Sequence, residues 1–153
     1  MQIRLLGDVP SAVPLLAEWF YAEWHDFDGR SRSEIEVLLR DNLSRDALPV
    51  TFVALDNAEV IGTVSLDTSD LPPYDHLSPW LASLYVVPSR RREGIGRALV
   101  EHLVAFALKR GISPLYLWTP GSTHLYEEWG WQILCCDVYS GRPITLMWRA
   151  LEL

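Results

Sequence analysis

The sequence predicts a single-domain α/β fold over residues 1–153: a mixed, mostly antiparallel sheet with a central parallel strand pair, flanked by helices. Three observations carry this. β-Branched runs cluster after residue 49 and are joined by short turn signals. A strand, an Arg/Gly-rich loop, a long amphipathic helix and another strand follow one another over residues 80–118, which is a βαβ crossover with parallel strands. No linker, repeat or low-complexity tract divides the chain, and 153 residues suffice for one well-buried core.

The elements follow in order. "QIRLL" at 2–6 is a short strand. The segment 7–24 reads as a helix capped by Asp8, with Val13, Leu16, Ala17, Phe20 and Trp24 on one stripe. After the loop "HDFDGRSR", Ser33 and Glu36 stand at capping-box spacing and open a second helix carrying Ile35, Leu38 and Leu39. "PVTFVAL" and "EVIGTVSLD" form a hairpin through "DNA". A proline-bearing loop leads to the strand "WLASLYVV", which Pro88 ends. The helix from Gly94 to Arg110 places Ile95, Leu99, Leu103 and Phe106 at helical spacing and closes at Gly111. "PLYLWT" is a strand and "STHLYEEW" a short helix. "WQILCCDVY" and "PITLMWRAL" are a final hairpin turning on "SGR".

Composition excludes several function classes. The chain is 49% hydrophobic and 22% charged, yet no apolar stretch is long enough to span a membrane, and the N-terminus is broken by Gly7, Asp8, Pro10 and Pro14, unlike a signal peptide. The expected location is therefore cytoplasmic. Cys135 and Cys136 sit in an apolar run and are expected to pack as small hydrophobes. No His or Cys spacing suits a metal, so none is expected. The net charge is −7, but Arg90, Arg91, Arg92 and Arg97 against Glu93 make residues 90–97 locally +3. A broad basic face for nucleic acid is missing. A focused anion site fits instead, with the acidic remainder free to attract a cation.

That anion site is expected at the head of the long helix. Unpaired N–H groups and the helix dipole favour negative charge there, Gly94 and Gly96 admit a bulky group to the backbone, and the arginines add charge-assisted hydrogen bonds. The run matches neither the dinucleotide pattern G-x-G-x-x-G nor the G-x-x-x-x-G-K-[ST] loop.

"LYVVPSRRREGIGRALV" resembles motif A of the GNAT N-acetyltransferase superfamily, V-x-P-x-x-R/Q-x-x-G-x-G/A, with Val86, Pro88, Arg91, Gly94 and Gly96 in register. "TPGSTHLYEEWGW" resembles its motif B, with Leu125, Tyr126, Gly130 and Trp131 at the expected positions about thirty residues later and Thr119 in place of the usual asparagine. The element order agrees over nearly the whole chain.

The resemblance implies acetyl-CoA as co-substrate. Its pyrophosphate would be wrapped by backbone amides of Arg91, Arg92, Glu93, Gly94, Ile95, Gly96 and Arg97, and its acetyl and pantetheine arm held by the backbone of Tyr85 and Val86. Thr119 could supply only a hydroxyl to that arm, and Tyr126 would act as general acid. It further implies a small-molecule amine as partner, accepted between the first two helices and the loop after the hairpin. That region is aromatic and acidic. Glu23, Trp24, Asp75, His76 and Trp80 are its candidate acceptor residues, among further carboxylates at Asp26, Asp28 and Asp70. Asp75 and His76 could relay a proton through water, as could Glu18 or Glu23 on the first helix. Each reads first as solvated surface. A non-catalytic CoA-binding module and an unrelated anion-binding protein remain open alternatives. The apolar C-terminal strand could support a homodimer.

Overall fold

The structure, a computed structural model, describes residues 1–152. Seven strands form one sheet: β1 (Gln2–Leu5), β2 (Val50–Asp56), β3 (Glu59–Asp67), β4 (Trp80–Val86), β5 (Leu115–Thr119), β6 (Gln132–Tyr139) and β7 (Arg142–Arg149). Their spatial order is β1-β2-β3-β4-β5-β7-β6, with β4 and β5 the one parallel pair and every other pairing antiparallel. Helices α1 (Val13–Asp28) and α2 (Arg32–Arg40) precede β2, α3 (Ile95–Lys109) connects β4 to β5, and α4 (Thr123–Glu128) follows β5. The expected mixed sheet with a central parallel pair is the fold observed.

Strand alternation distributes the helices over two faces. Phe52 and Ala54 of β2 turn toward Leu99, Leu103 and Ala107 of α3, while Val53 and Leu55 turn toward Leu16 and Phe20 of α1 and Ile35 and Leu39 of α2. Both faces of β2 are thus covered, which is why it reads as a continuous apolar run. A third cluster joins Phe27, Leu71, Trp80, Ile144 and Leu146 near the end of α1.

Several boundaries differ from the sequence expectation. Asp8 does not cap α1. Two short 3₁₀ turns occupy Leu6–Asp8 and Pro10–Ala12, α1 begins at Val13, and Asp8 pairs with Arg45. The helix runs on to Asp28 and ends at Gly29, whose φ of 67° is the left-handed conformation glycine permits. The capping box of α2 is Ser31 with Glu34, two residues ahead of the expected pair: Glu34 N–H donates to Ser31 Oγ and Ser31 N–H to Glu34 Oε1, each at 3.1 Å. Both pairs satisfy the same motif, and the αL turn at Gly29 fixes which serine meets the first free amides. In both hairpins the two turn residues have positive φ, at Asn57–Ala58 and Ser140–Gly141. The cysteines also separate: Cys135 packs against the third cluster, but Cys136, on edge strand β6, is exposed.

Candidate active site

Strands β4 and β5 are in register only at Trp80 and Tyr116. β4 then carries an extra residue relative to β3, since Tyr85 faces Thr63 and Ala82 faces Ser65, and Ser83 adopts a φ of 57°. Such a bulge bends its strand. Beyond the bulge the parallel partners part, and the opening forms a cavity of about 600 Å³ whose walls include Ser83, Leu84, Trp118, Thr119 and Tyr126.

The loop from β4 to α3 sits at the head of that opening. Arg92 and Gly94 have φ of 66° and 82°. Among the described residues, the main-chain N–H groups from Arg92 to Arg97 have no protein acceptor, the first helical bond being from Ala98 N–H to Gly94 O at 3.0 Å. A Cβ added at Gly94 would meet nothing within 4 Å, and one at Gly96 would lie 3.7 Å from both Val86 and Trp129. The loop is therefore flanked by the end of β4 and the end of α4, and a polyanion such as a pyrophosphate has the donors and the space it needs.

The arginines divide in role. Arg90 is held by Asp56 and Glu93, each at 3.0 Å, and both carboxylates push its pKa up. Its charge and that of Glu93 are thereby neutralised locally, so the local +3 read from the sequence is not all offered to an anion. Arg91 donates from Nε to Val86 O at 2.9 Å, and its guanidinium lies 5.5 Å from the Tyr85 ring centroid. Arg92 and Arg97 make no ion pair among the described residues. Ile95 is buried, so it offers the site only its amide.

Val87 N–H bonds Ile61 O at 2.9 Å. Paired groups alternate along an antiparallel ladder, so Val86, opposite Gly62, turns its N–H and C=O away from β3 toward the gap. Arg91 occupies that carbonyl, and the N–H is left as a donor. The Tyr85 ring stacks on Trp19 of α1 with centroids 5.0 Å apart.

Tyr126 of α4 is 8% exposed and lines the cavity. Its ring packs edge-on against Trp129 and Trp131, and its hydroxyl has no hydrogen-bond partner among the described residues. Burial pushes its pKa well above the usual phenol value. Thr119 Oγ1 accepts Ser122 N–H at 3.0 Å, closing the turn into α4. A side chain expected to reach a ligand thus also supports the helix that carries Tyr126.

The candidate acceptor residues are not brought together as a set. Glu23 and Trp24 of α1 line the cavity. Trp80 does not: it is 0% exposed, packed in the third cluster, with Nε1–H donating to Leu77 O at 2.7 Å. Asp75 and His76 lie outside the lining, Asp75 accepting from Ser69 Oγ at 2.6 Å and His76 beside Tyr74. Glu18 faces Arg32 at 3.7 Å on the exposed surface. The walls also include Asp67 at the end of β3, Asp70 in the loop after it, Asp28, Tyr139 and, as their one cation among the described residues, Arg30. No three of these carboxylates converge as metal ligands would among the described residues. Asp70 was one acidic residue of a loop in the sequence, and no local pattern distinguished it from Asp75. Among the described residues, no helix is long and apolar enough to cross a membrane.

The acetyltransferase (GNAT) family model matches residues 13–131. Among solved structures, the chain is similar to an aminoglycoside 6′-N-acetyltransferase complexed with coenzyme A, with a TM-score of 0.78 and 18% identity over 98% of this chain and 97% of that one. It is also similar to the aminoglycoside 6′-N-acetyltransferase from Enterococcus faecium, with a TM-score of 0.71 and 20% identity over 98% and 97% of the two chains. A GNAT-family acetyltransferase from Streptococcus pneumoniae gives a TM-score of 0.72 and 20% identity over 99% of both. These likenesses show a shared fold. Comparison with curated protein sequences gave no match.

Proposed function

The chain belongs to the GNAT acetyltransferase family, and from that premise we propose that it transfers the acetyl group of acetyl-CoA to a primary amine of a small cationic acceptor by direct attack. The observation that carries this is the run of unpartnered amides from Arg92 to Arg97, lodged between the end of β4 and the helix that bears Tyr126. The coenzyme A complex of a similar structure supports the same co-substrate.

Acetyl-CoA would supply an acyl carbon activated as a thioester. The chain's part is to hold and polarise it. Amides Arg92–Arg97, with Arg92 and Arg97, suit the pyrophosphate. Val86 N–H, turned into the gap, suits the carbonyl oxygen as charge develops on it. Tyr126 O–H is the donor available for the departing sulfur. An ordinary phenol near 10 is already a weaker acid than a thiol near 8.5, and burial weakens Tyr126 further. Its contribution is therefore a hydrogen bond to sulfur in the transition state, with proton transfer following once the attacking nitrogen has a proton to give.

The acceptor side is a cavity whose carboxylates Glu23, Asp28, Asp67 and Asp70 outnumber Arg30, with Trp24, Trp118 and Tyr139 as aromatic faces. Negative charge and π surfaces both favour a cation. The names of two similar structures point to aminoglycosides as one class of acceptor to test. A non-catalytic CoA-binding module is the second reading, favoured by Thr119 in place of the motif's amide. Thiol release from acetyl-CoA across aminoglycosides, polyamines and amino-acid amines decides: turnover by wild type that collapses in Tyr126→Phe supports transfer, and CoA binding without turnover across the panel supports the module.

A further inference from the structure

Asp70 differs from Asp67 and Asp28, two other carboxylates of the cavity. Asp67 accepts Thr68 N–H at 2.7 Å and Asp28 accepts Arg30 N–H at 2.9 Å, so a turn amide already occupies each of these carboxylates. Among the described residues, no main-chain amide donates to the Asp70 carboxylate. Its carbonyl oxygen accepts Trp118 Nε1–H at 3.2 Å. That bond ties the loop after β3 to β5, across the gap, and sets the Asp70 side chain in the cavity wall. The charged and titratable groups facing it come from several elements: Asp67 from β3, Asp28 and Arg30 from the end of α1, and Tyr139 from β6. Half-buried in the cavity wall, the Asp70 carboxyl is pushed up to about 8 by desolvation, with Asp67 adding to the rise and Arg30 opposing it.

We infer that Asp70 takes the proton from the acceptor's ammonium, acting from the wall of the cavity that Tyr126 also lines. This rests on the acetyl-transfer reading above. An alkylammonium near 10.4 is about six units above a carboxylate in its usual range, too far for efficient transfer. At about 8, Asp70 is roughly 10⁴-fold more basic than at its ordinary value of 3.8. An arriving cation favours the ionised form, so acceptor binding itself makes the base available.

In the step, one ammonium N–H bond breaks, its electron pair remains on nitrogen, and an Asp70 Oδ–H bond forms. The nitrogen bonds the acyl carbon and the C–S bond breaks with its pair on sulfur. A second nitrogen proton reaches sulfur by way of the Tyr126 hydroxyl. Asp70 releases its proton to solvent before the next turnover, so one proton leaves per acetyl transferred.

The test measures kcat/KM from pH 6 to 10 with acetyl-CoA and kanamycin, 1,4-diaminobutane or spermidine, for wild type, Asp70→Asn and Asp70→Glu. CoA affinity and thermal melting are recorded alongside. Wild type should rise through an inflexion near 8. Asp70→Asn, which mimics the protonated acid in shape, should melt at or above the wild-type temperature, bind CoA as wild type does, and lose about 100- to 1,000-fold at pH 7. Its deficit should shrink toward the pKa of the amine. Asp70→Glu should keep the inflexion. A uniform loss at every pH, or wild-type kinetics in Asp70→Asn, overturns the assignment while leaving acetyl transfer standing. Absence of turnover by wild type with all three amines, with CoA still bound, overturns both.

Discussion

Arg91 turns its Nε back onto the carbonyl oxygen of Val86, 2.9 Å away, and so braces the loop against the strand it has just left. Its neighbour Arg92 has no protein partner for its charge among the described residues. The two arginines should therefore fail differently. Arg92→Ala should weaken CoA binding roughly 3- to 10-fold at 50 mM salt and hardly at all at 500 mM, because an exposed charge acts through a screened field. Arg91→Ala should cost a similar factor that persists at high salt, since it also removes a hydrogen bond that shapes the loop. Calorimetric titration at the two salt concentrations distinguishes them.

The two loop glycines are expected to separate folding from binding. Gly96→Ala places its Cβ at ordinary contact distance, 3.7 Å from Val86 and Trp129, and adds helix propensity within the first turn of α3. Its urea stability should stay within about 1 kcal/mol of wild type, so a loss of CoA affinity would report close approach of the ligand. Gly94→Val has room but the wrong backbone, with φ at 82°. It should cost roughly 1–3 kcal/mol in stability and at least tenfold in CoA affinity. A Gly94→Val protein of wild-type stability and affinity would show that the loop relaxes at no cost.

Tyr126→Phe removes a hydroxyl that has no hydrogen-bond partner among the described residues. Its melting temperature should match or slightly exceed wild type, and CoA should bind unchanged. Turnover should fall about 10- to 100-fold, the range for losing a positioned proton donor. Steady-state kinetics beside a thermal melt checks both halves of the expectation.

Asp70 also predicts a pH dependence of stability. Its native pKa is raised from 3.8 to about 8, so the native state holds this proton more tightly than the unfolded chain does. The associated stability is fully present below about pH 4 and is lost as pH rises toward 8. Asp70→Asn cannot ionise and escapes that loss. It should gain on wild type between pH 5 and pH 9 by more than ~1 kcal/mol, each unit of displacement being worth ~1.4 kcal/mol. Urea titrations at the two pH values measure the difference.

Trp80 should matter to stability and not to acceptor choice. Trp80→Phe loses the 2.7 Å bond to Leu77 O and leaves a partly filled hole in the third cluster. A loss of roughly 2–4 kcal/mol is expected, with the acceptor KM unchanged in the protein that remains folded. A selective rise in acceptor KM at wild-type stability would return Trp80 to the binding site.

Local pattern alone determined the kind and order of the elements, the βαβ crossover, and the glycine-marked loop that opens α3. Periodicity, turn residues and motif spacing are properties of neighbours along the chain, so they are legible without coordinates. What the tertiary structure decided depends on groups far apart in sequence. Arg90 is neutralised by Asp56, 34 residues earlier. The cavity exists because a bulge at Ser83 bends β4 away from β5. Trp80, an acceptor candidate by its place in the sequence, is core, because its strand lies mid-sheet and packs with Phe27 and Leu146. Asp70 and Asp75 looked alike in one acidic loop, yet only Asp70 is drawn against β5, by Trp118, 48 residues on. Charge pairing and desolvation act through space, and only the folded chain sets which carboxylate loses its water.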